Sequence, residues 1–274
     1  MKKIGVIGAG AMGSAMAGVL CETVDPSEVL IYDVCREKTE EFAAKTACCI
    51  AVDELEIARD CEIILLAIKP QILEDLMSKI IPVLKTNHDA GIRQIFTSIA
   101  AGWTIDQLDK IFTGNNISDM PVIRILPNIP IKVKEGVILF TGNKYAGDDI
   151  IKKVMDLYKT GGLCVQCEEE LFVNSIAVFS CSPAMVYMFI ESIADAGVQI
   201  GMDRKQATQF AAQAVKGSAS MVLNSGKHIG QLKEELDTPG GMTIGGTNLM
   251  EQTGFRGSVI AGVLKAHERQ FELK

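Results

Sequence analysis

Histidine is scarce in this chain. His88, His228 and His267 are the only three in 274 residues, and none stands near another. Their spacing therefore supplies no metal-ligand cluster and no Ser-His-Asp set, and each is expected to be a surface or hydrogen-bonded side chain. A basic excess is also missing. The balance of 27 Lys and Arg against 34 Asp and Glu leaves a net charge of −7, which argues against a nucleic-acid surface. Low-complexity tracts and long charge runs are absent as well. With 48% hydrophobic and 22% charged residues the chain reads as globular, long enough for about two domains.

The eight cysteines, Cys21, Cys35, Cys48, Cys49, Cys61, Cys164, Cys167 and Cys181, are scattered. Only five residues, Ile4 to Gly8, precede the interior of a glycine turn, too few for an export signal, so a cytoplasmic protein with reduced thiols is expected. Cys164-Val165-Gln166-Cys167 spells C-x-x-C, but in an apparent strand, where residues three apart point to opposite faces. With no second C-x-x-C beside it, no metal is expected.

What is present begins at residue 4. Ile4, Val6 and Ile7 form a β-branched run, Gly8, Gly10 and Gly13 fit G-x-G-x-x-G, and Met12, Ala15, Met16, Val19 and Leu20 recur at helical spacing. In a strand–turn–helix of this kind the first glycine permits the reversal, the second lets a pyrophosphate approach the backbone, and the third lets helix and strand pack closely. The helix start then offers free N–H groups to the phosphates. A second strand, Val29 to Tyr32, ends in Asp33, twenty residues after Gly13. Dinucleotide binding is the expectation.

Strand and helix alternate from there. A helix at about 37–45 and a short apolar stretch through Ile50 precede the continuous apolar run Cys61 to Ile68, which fits a parallel strand covered on both faces. A helix at 72–84 and a strand at 94–99 follow. The rhythm predicts an open, doubly wound parallel sheet with its ligand crevice at the carboxyl ends of the strands, near Ala67 to Pro70, Ser98 to Gly102 and Leu126 to Pro130. Asn128, between Pro127 and Ile129-Pro130, sits on a stiff loop. Its amide is suited either to a carboxamide such as that of nicotinamide or to capping backbone groups. Arg124 is expected to pair on the sheet, and 136–140 and 163–165 look like its closing strands.

Composition changes after Glu168-Glu169-Glu170. Leu171 to Ile190 carries no charge, enough for a membrane span by length. Asn174, three serines and Pro183 are expected to break it into two shorter helices, and no basic flank marks a cytoplasmic side. A core or subunit interface is the better assignment. Further helices are predicted from Asp203 to about Ser225, at about 231–236, and from about Gly257 to the end. Before the last of these, Thr238-Pro239-Gly240-Gly241-Met242-Thr243 places two glycines ahead of a helix. That turn is either a seat for a small carboxylate or only a helix-initiating loop.

Over essentially its full length the chain resembles the pyrroline-5-carboxylate reductases. The resemblance rests on Ile4 to Gly13, Ala67 to Pro70, Ser98 to Gly102, Arg124 to Asn128, Phe210 to Leu223 and, most specifically, Pro239 to Ile244 with Leu249-Met250-Glu251 and Gly254-Phe255-Arg256. It implies an α/β chain: an N-terminal Rossmann-type doubly wound parallel sheet, residues 1–168, followed by an all-helical dimerisation and substrate-binding domain, 169–274. It implies NADPH or NADH on Gly8, Ala9, Gly10, Ala11, Met12 and Gly13, along Ala67, Ile68, Lys69 and Pro70, and on Ile99, Ala100 and Ala101. Asp33, Arg36 and Asn128 complete the expected cofactor residues. The cyclic imino acid's carboxylate is placed on Thr238, Gly240, Gly241, Met242 and Thr243, with Thr243 hydrogen-bonding the imine nitrogen as the catalytic group. The implied reaction is hydride reduction of 1-pyrroline-5-carboxylate to L-proline.

The implied assembly is an intertwined homodimer, often built into a decameric ring of five dimers. Neither nucleic acid nor membrane is an expected partner. Phe179-Ser180-Cys181-Ser182, Met185, Thr238, Met242 and Ile229 depart from the family pattern, mostly near the substrate. A divergent paralogue reducing another cyclic imine, or a non-catalytic nucleotide-binding regulator, is the alternative. Asp33 favours NADH, Arg36 and Lys38 can receive a 2′-phosphate, and use of both cofactors is expected.

Overall fold

In the computed structural model, which describes residues 2–272, backbone contacts divide the chain into two units, Met1–Val173 and Asn174–Lys274. The first unit opens with β1 (Lys2–Ile7), α1 (Ala11–Thr23), β2 (Val29–Tyr32), α2 (Arg36–Thr46), β3 (Cys49–Ile50), α3 (Glu54–Asp60) and β4 (Cys61–Leu66). It continues with α4 (Leu73–Asp89), β5 (Ile95–Ser98), α5 (Ile105–Gly114), β6 (Val122–Pro127), β7 (Gly136–Gly142), α6 (Asp148–Tyr158) and β8 (Gly162–Gln166). The strands form one sheet in the order β3-β2-β1-β4-β5-β6-β7-β8.

β-branched runs at the centre of the sheet are covered on both faces. Met16 and Leu20 of α1, with Val154 and Tyr158 of α6, pack on one side against Val6, Ile31, Leu65 and Ile123. Ile57, Ile80, Leu84 and Phe112 pack on the other against Ile64, Leu66 and Phe96. Burial of whole aliphatic side chains at about 1.5–3 kcal/mol each makes these two layers the main source of stability.

The sheet departs from an all-parallel one at a single place. β6 and β7 pair antiparallel, with Ile125 opposite Phe140, and β8 then runs parallel to β7. Only residues 128–135, wound into a 3₁₀ turn at Ile129–Val133, join β6 to β7, too few for a helical crossover. α4 also runs past its expected end at residue 84, carrying Pro82 within it.

A continuous helix spans Glu169–Gln199. It consists of α7 (Glu169–Ser175), a π-helical segment at Ile176–Cys181, and α8 (Ser182–Gln199). The expected break at Pro183 is therefore absent. The wide π turn falls where a proline ring would clash with the preceding turn, so Pro183 enters at the start of α8 without interrupting the helix. Ser182 Oγ donates to the Val178 carbonyl there.

α9 (Arg204–Asn224) is capped by Asp203, whose Oδ1 accepts the Lys205 and Gln206 N–H groups at 3.0 and 3.2 Å. It packs on α8 through small residues: a Cβ on Gly197 would lie 3.0 Å from the Ala207 Cβ. α10 (Ile229–Glu234), α11 (Met242–Gln252) and α12 (Phe255–Gln270) complete the second unit. The helix expected to reach the chain end is thus described to Gln270, and Leu273 and Lys274 lie outside the described residues. This unit buries few apolar side chains of its own, chiefly Ala194, Ala207 and Ala211, while Tyr187, Phe210, Leu223, Ile260 and Leu264 are exposed in the single chain.

The three histidines are hydrogen-bonded. His88 Nε2 meets Asp119 Oδ1 at 2.5 Å, His228 caps α10 by accepting the Gly230 N–H, and His267 Nδ1 lies 2.7 Å from Gln270 Nε2. Cys21 packs against the buried cluster that contains Cys48, and the neighbouring Cys21 thiol holds the Cys48 thiol below its usual value.

Candidate active site

The turn between β1 and α1 depends on absent side chains. Gly8 has φ +111°, and a Cβ there would lie 2.3 Å from the Ala67 carbonyl oxygen at the end of β4. A Cβ on Gly13 would lie 2.0 Å from the Gly8 carbonyl oxygen. Both glycines are therefore required by the protein's own packing. Gly10 differs. It is the N-cap of α1, no side chain caps the helix there, and no heavy atom lies within 4 Å of where its Cβ would be. The open space beside the uncapped start of a 13-residue helix fits a pyrophosphate.

The other expected cofactor residues of this unit follow the carboxyl ends of neighbouring strands. Asp33 succeeds β2; its Oδ2 accepts the Ala9 N–H at 2.7 Å and its Oδ1 the Cys35 N–H at 2.9 Å. Arg36 opens α2 and holds Glu40 at 2.8 Å through Nε. Ala67 to Pro70 succeed β4, where the Ala67 N–H donates to the Ile7 carbonyl at 2.8 Å and Trp103 Nε1 to the Pro70 carbonyl at 3.3 Å. Ile99 to Ala101 succeed β5, and the Ala100 N–H donates to Ser98 Oγ at 3.2 Å. Asn128 succeeds β6 and is buried, its Oδ1 accepting the Val137 N–H at 2.8 Å. Parallel pairing of β2, β1, β4, β5 and β6 is what brings these loops to one edge. Arg124, by contrast, finds its partner away from the sheet, in Glu169 at the start of α7.

Sequence reasoning passed over one feature at this edge. A cavity of about 200 Å³ lies beyond β2 and β3, lined by Tyr32, Asp33, Val34, Arg36, Thr39, Ile50, Ala51 and Val52. The signal was present in the short apolar stretch ending at Ile50, which pairs with β2 as β3 and carries Ala51 and Val52 to the same edge as Asp33.

In the second unit the Thr238–Thr243 turn leads into α11. Gly240 has φ +67°, the Gly241 N–H donates to the Thr238 carbonyl at 2.9 Å, and Gly241 N-caps the helix with no side-chain cap. The first N–H groups of an 11-residue helix thus lack a side-chain acceptor, which suits a carboxylate. Met242 and Thr243 are the first two residues of α11, and Met242 is almost fully exposed in the single chain.

Comparison with known proteins agrees with both halves of this arrangement. Residues 169–273 match the family model described as pyrroline-5-carboxylate reductase dimerisation, and residues 3–92 match that of NADP oxidoreductase, coenzyme F420-dependent. The chain is 37% identical over 274 residues to the pyrroline-5-carboxylate reductase of Escherichia coli K12, covering 99% of this chain and 98% of that one. The chain belongs to the pyrroline-5-carboxylate reductase family. Another member, from Methanosarcina acetivorans, is 34% identical over 275 residues, with 99% of this chain and 98% of that one covered. Among solved structures of the family, the Plasmodium falciparum pyrroline carboxylate reductase with NADP bound superposes with a TM-score of 0.82 at 30% identity, covering 98% of this chain and 96% of that one.

Proposed function

We propose that the chain is an NAD(P)H-dependent oxidoreductase that reduces 1-pyrroline-5-carboxylate to L-proline, the last step of proline biosynthesis. What carries this reading is the match, over 99% of the chain, to a relative named for that reaction. The open cradle at Gly10 and the turn at Gly240-Gly241 supply groups of the kind the reaction needs.

Once the ring nitrogen is protonated, the adjacent imine carbon is electrophilic, and the demand on the protein is mainly one of position. The bound dihydronicotinamide supplies the hydride. Gly8 to Gly13 and the start of α1 hold the pyrophosphate; the loops at Ala67–Pro70 and Ile99–Ala101 and the buried Asn128 line the nucleotide's path. The first N–H groups of α11 hold the substrate carboxylate with Thr238, Gly240 and Gly241, and the Thr243 hydroxyl hydrogen-bonds the ring nitrogen. Residues 1–168 serve the cofactor, and 169–274 serve substrate binding and self-association.

The exposed apolar helices of the second unit pair with a second copy, and a decamer of five dimers is the proposed full assembly. Dimer burial also accounts for Glu169–Gln199, a helix long and apolar enough to cross a membrane, so a cytoplasmic protein without membrane or nucleic-acid partners is proposed. Met242 favours a second reading, in which a bulkier side chain beside the carboxylate turn selects another cyclic imine.

The test is the initial rate of NADH and NADPH oxidation with pyrroline-5-carboxylate, with proline quantified as product. Robust turnover is expected. Cofactor binding without turnover would transfer the assignment to another ring or to a non-catalytic role.

A further inference from the structure

We propose that Asp33 makes the nucleotide site selective for NADH over NADPH, in place of the use of both cofactors expected from the sequence, by accepting a ribose diol and repelling a 2′-phosphate; this rests on the cofactor role given above. Three observations carry it. First, the Asp33 carboxylate lines the cavity beyond β2 and β3, and both oxygens are held by backbone N–H groups, Ala9 at 2.7 Å and Cys35 at 2.9 Å. These bonds fix its position, and each oxygen keeps a lone pair for a hydroxyl. The same cavity carries the strongly exposed Val34 and Val52, apolar surface of the kind a purine covers.

Second, the surroundings are acidic. Tyr32, also on the cavity wall, has its phenol pushed up by burial and then by the Glu54, Asp53 and Asp33 carboxylates. Glu56 Oε2 accepts the Val52 N–H at 2.6 Å, adding a further carboxylate beside the wall. Third, the nearby cations are either paired or, like Lys38, exposed to solvent on α2. Arg36 lines the cavity, but its Nε holds Glu40 at 2.8 Å and its side chain is 80% exposed. Lys79 is paired with Glu54 at 3.3 Å. An exposed arginine is screened by salt far more than a half-buried, anchored carboxylate, so repulsion of a 2′-phosphate dominates.

The experiment measures dissociation constants of NADH and NADPH, and of ADP-ribose and its 2′-phosphate, on the purified full chain by calorimetry. NADH and ADP-ribose are expected to bind at least about tenfold more tightly than their phosphorylated counterparts. Equal affinities, or tighter binding of the phosphorylated ligands, would overturn the selectivity while leaving the reductase reading intact. Failure of all four to bind would remove both.

A salt series on the unaltered chain provides an independent check. Between about 0.05 and about 0.5 M salt the NADPH-to-NADH ratio of dissociation constants should fall as repulsion is screened; a rising ratio would mean that Arg36 binds the phosphate and would overturn the proposal. In Asp33→Asn the preference should shrink by about tenfold, and an unchanged ratio in the folded variant would exclude Asp33 as its source.

Discussion

Arg124 Nη1 lies 2.8 Å from Glu169 Oε1, and the same oxygen accepts the Ile105 N–H at 2.9 Å. One carboxylate thus joins β6, the start of α5 and the start of α7, while the guanidinium lies 5.0 Å from the centre of the Phe172 ring. The arginine side chain is buried and the glutamate only partly exposed. Removing one partner leaves the other charge poorly solvated, so Arg124→Ala should lower stability by about 2–4 kcal/mol. Urea unfolding checks this; a loss below about 0.5 kcal/mol would place the pair among ordinary surface contacts.

The glycine turn separates packing from binding. Gly10→Ala has room for its methyl group within the protein, so its unfolding midpoint should stay close to that of the unaltered chain. Its nucleotide affinity should fall by about tenfold or more as the methyl group enters the pyrophosphate space. Gly13→Ala meets the Gly8 carbonyl oxygen at 2.0 Å and should lose about 1–3 kcal/mol of stability as well. Calorimetry with thermal unfolding distinguishes the two.

Thr243 is the second residue of α11, beside the Gly240-Gly241 turn. If its hydroxyl serves the ring nitrogen, Thr243→Ala should lower kcat by about 10- to 100-fold, the worth of a hydrogen bond to a charged group. NADH affinity should stay unchanged, and Thr243→Ser should retain most of the turnover. Unaltered kcat in the alanine variant would remove Thr243 from the reaction.

Acid stability should depend on Asp119. The hydrogen bond from His88, 2.5 Å away, holds its carboxyl below the usual aspartate value. A depressed folded-state value stabilises the protein above the unfolded value, about pH 4, and the benefit disappears as pH falls through the folded value. Asp119→Asn should therefore be less stable than the unaltered chain near neutrality, with the gap closing in acid. Urea midpoints measured as a function of pH test this, and a gap that widens in acid would reverse the assignment.

The parts of this protein legible in its sequence are those set by local backbone demands. Gly8 and Gly13 stand where a Cβ would strike a carbonyl oxygen, and the apolar runs at β1 and β4 reflect burial on both faces of a sheet, so turn, strands and crevice edge could be read from spacing. The Thr238–Thr243 turn was legible for the same reason, since glycines before a helix act on their immediate neighbours. Tertiary structure decided what depends on distant partners. A connection too short for a crossover reversed β7 and β8; a π turn carried one helix past Pro183; pairing of β3 with β2 made the cavity beside Asp33. The Asp33–Ala9 and Arg124–Glu169 bonds span 24 and 45 residues, separations at which no local periodicity reports who will meet whom.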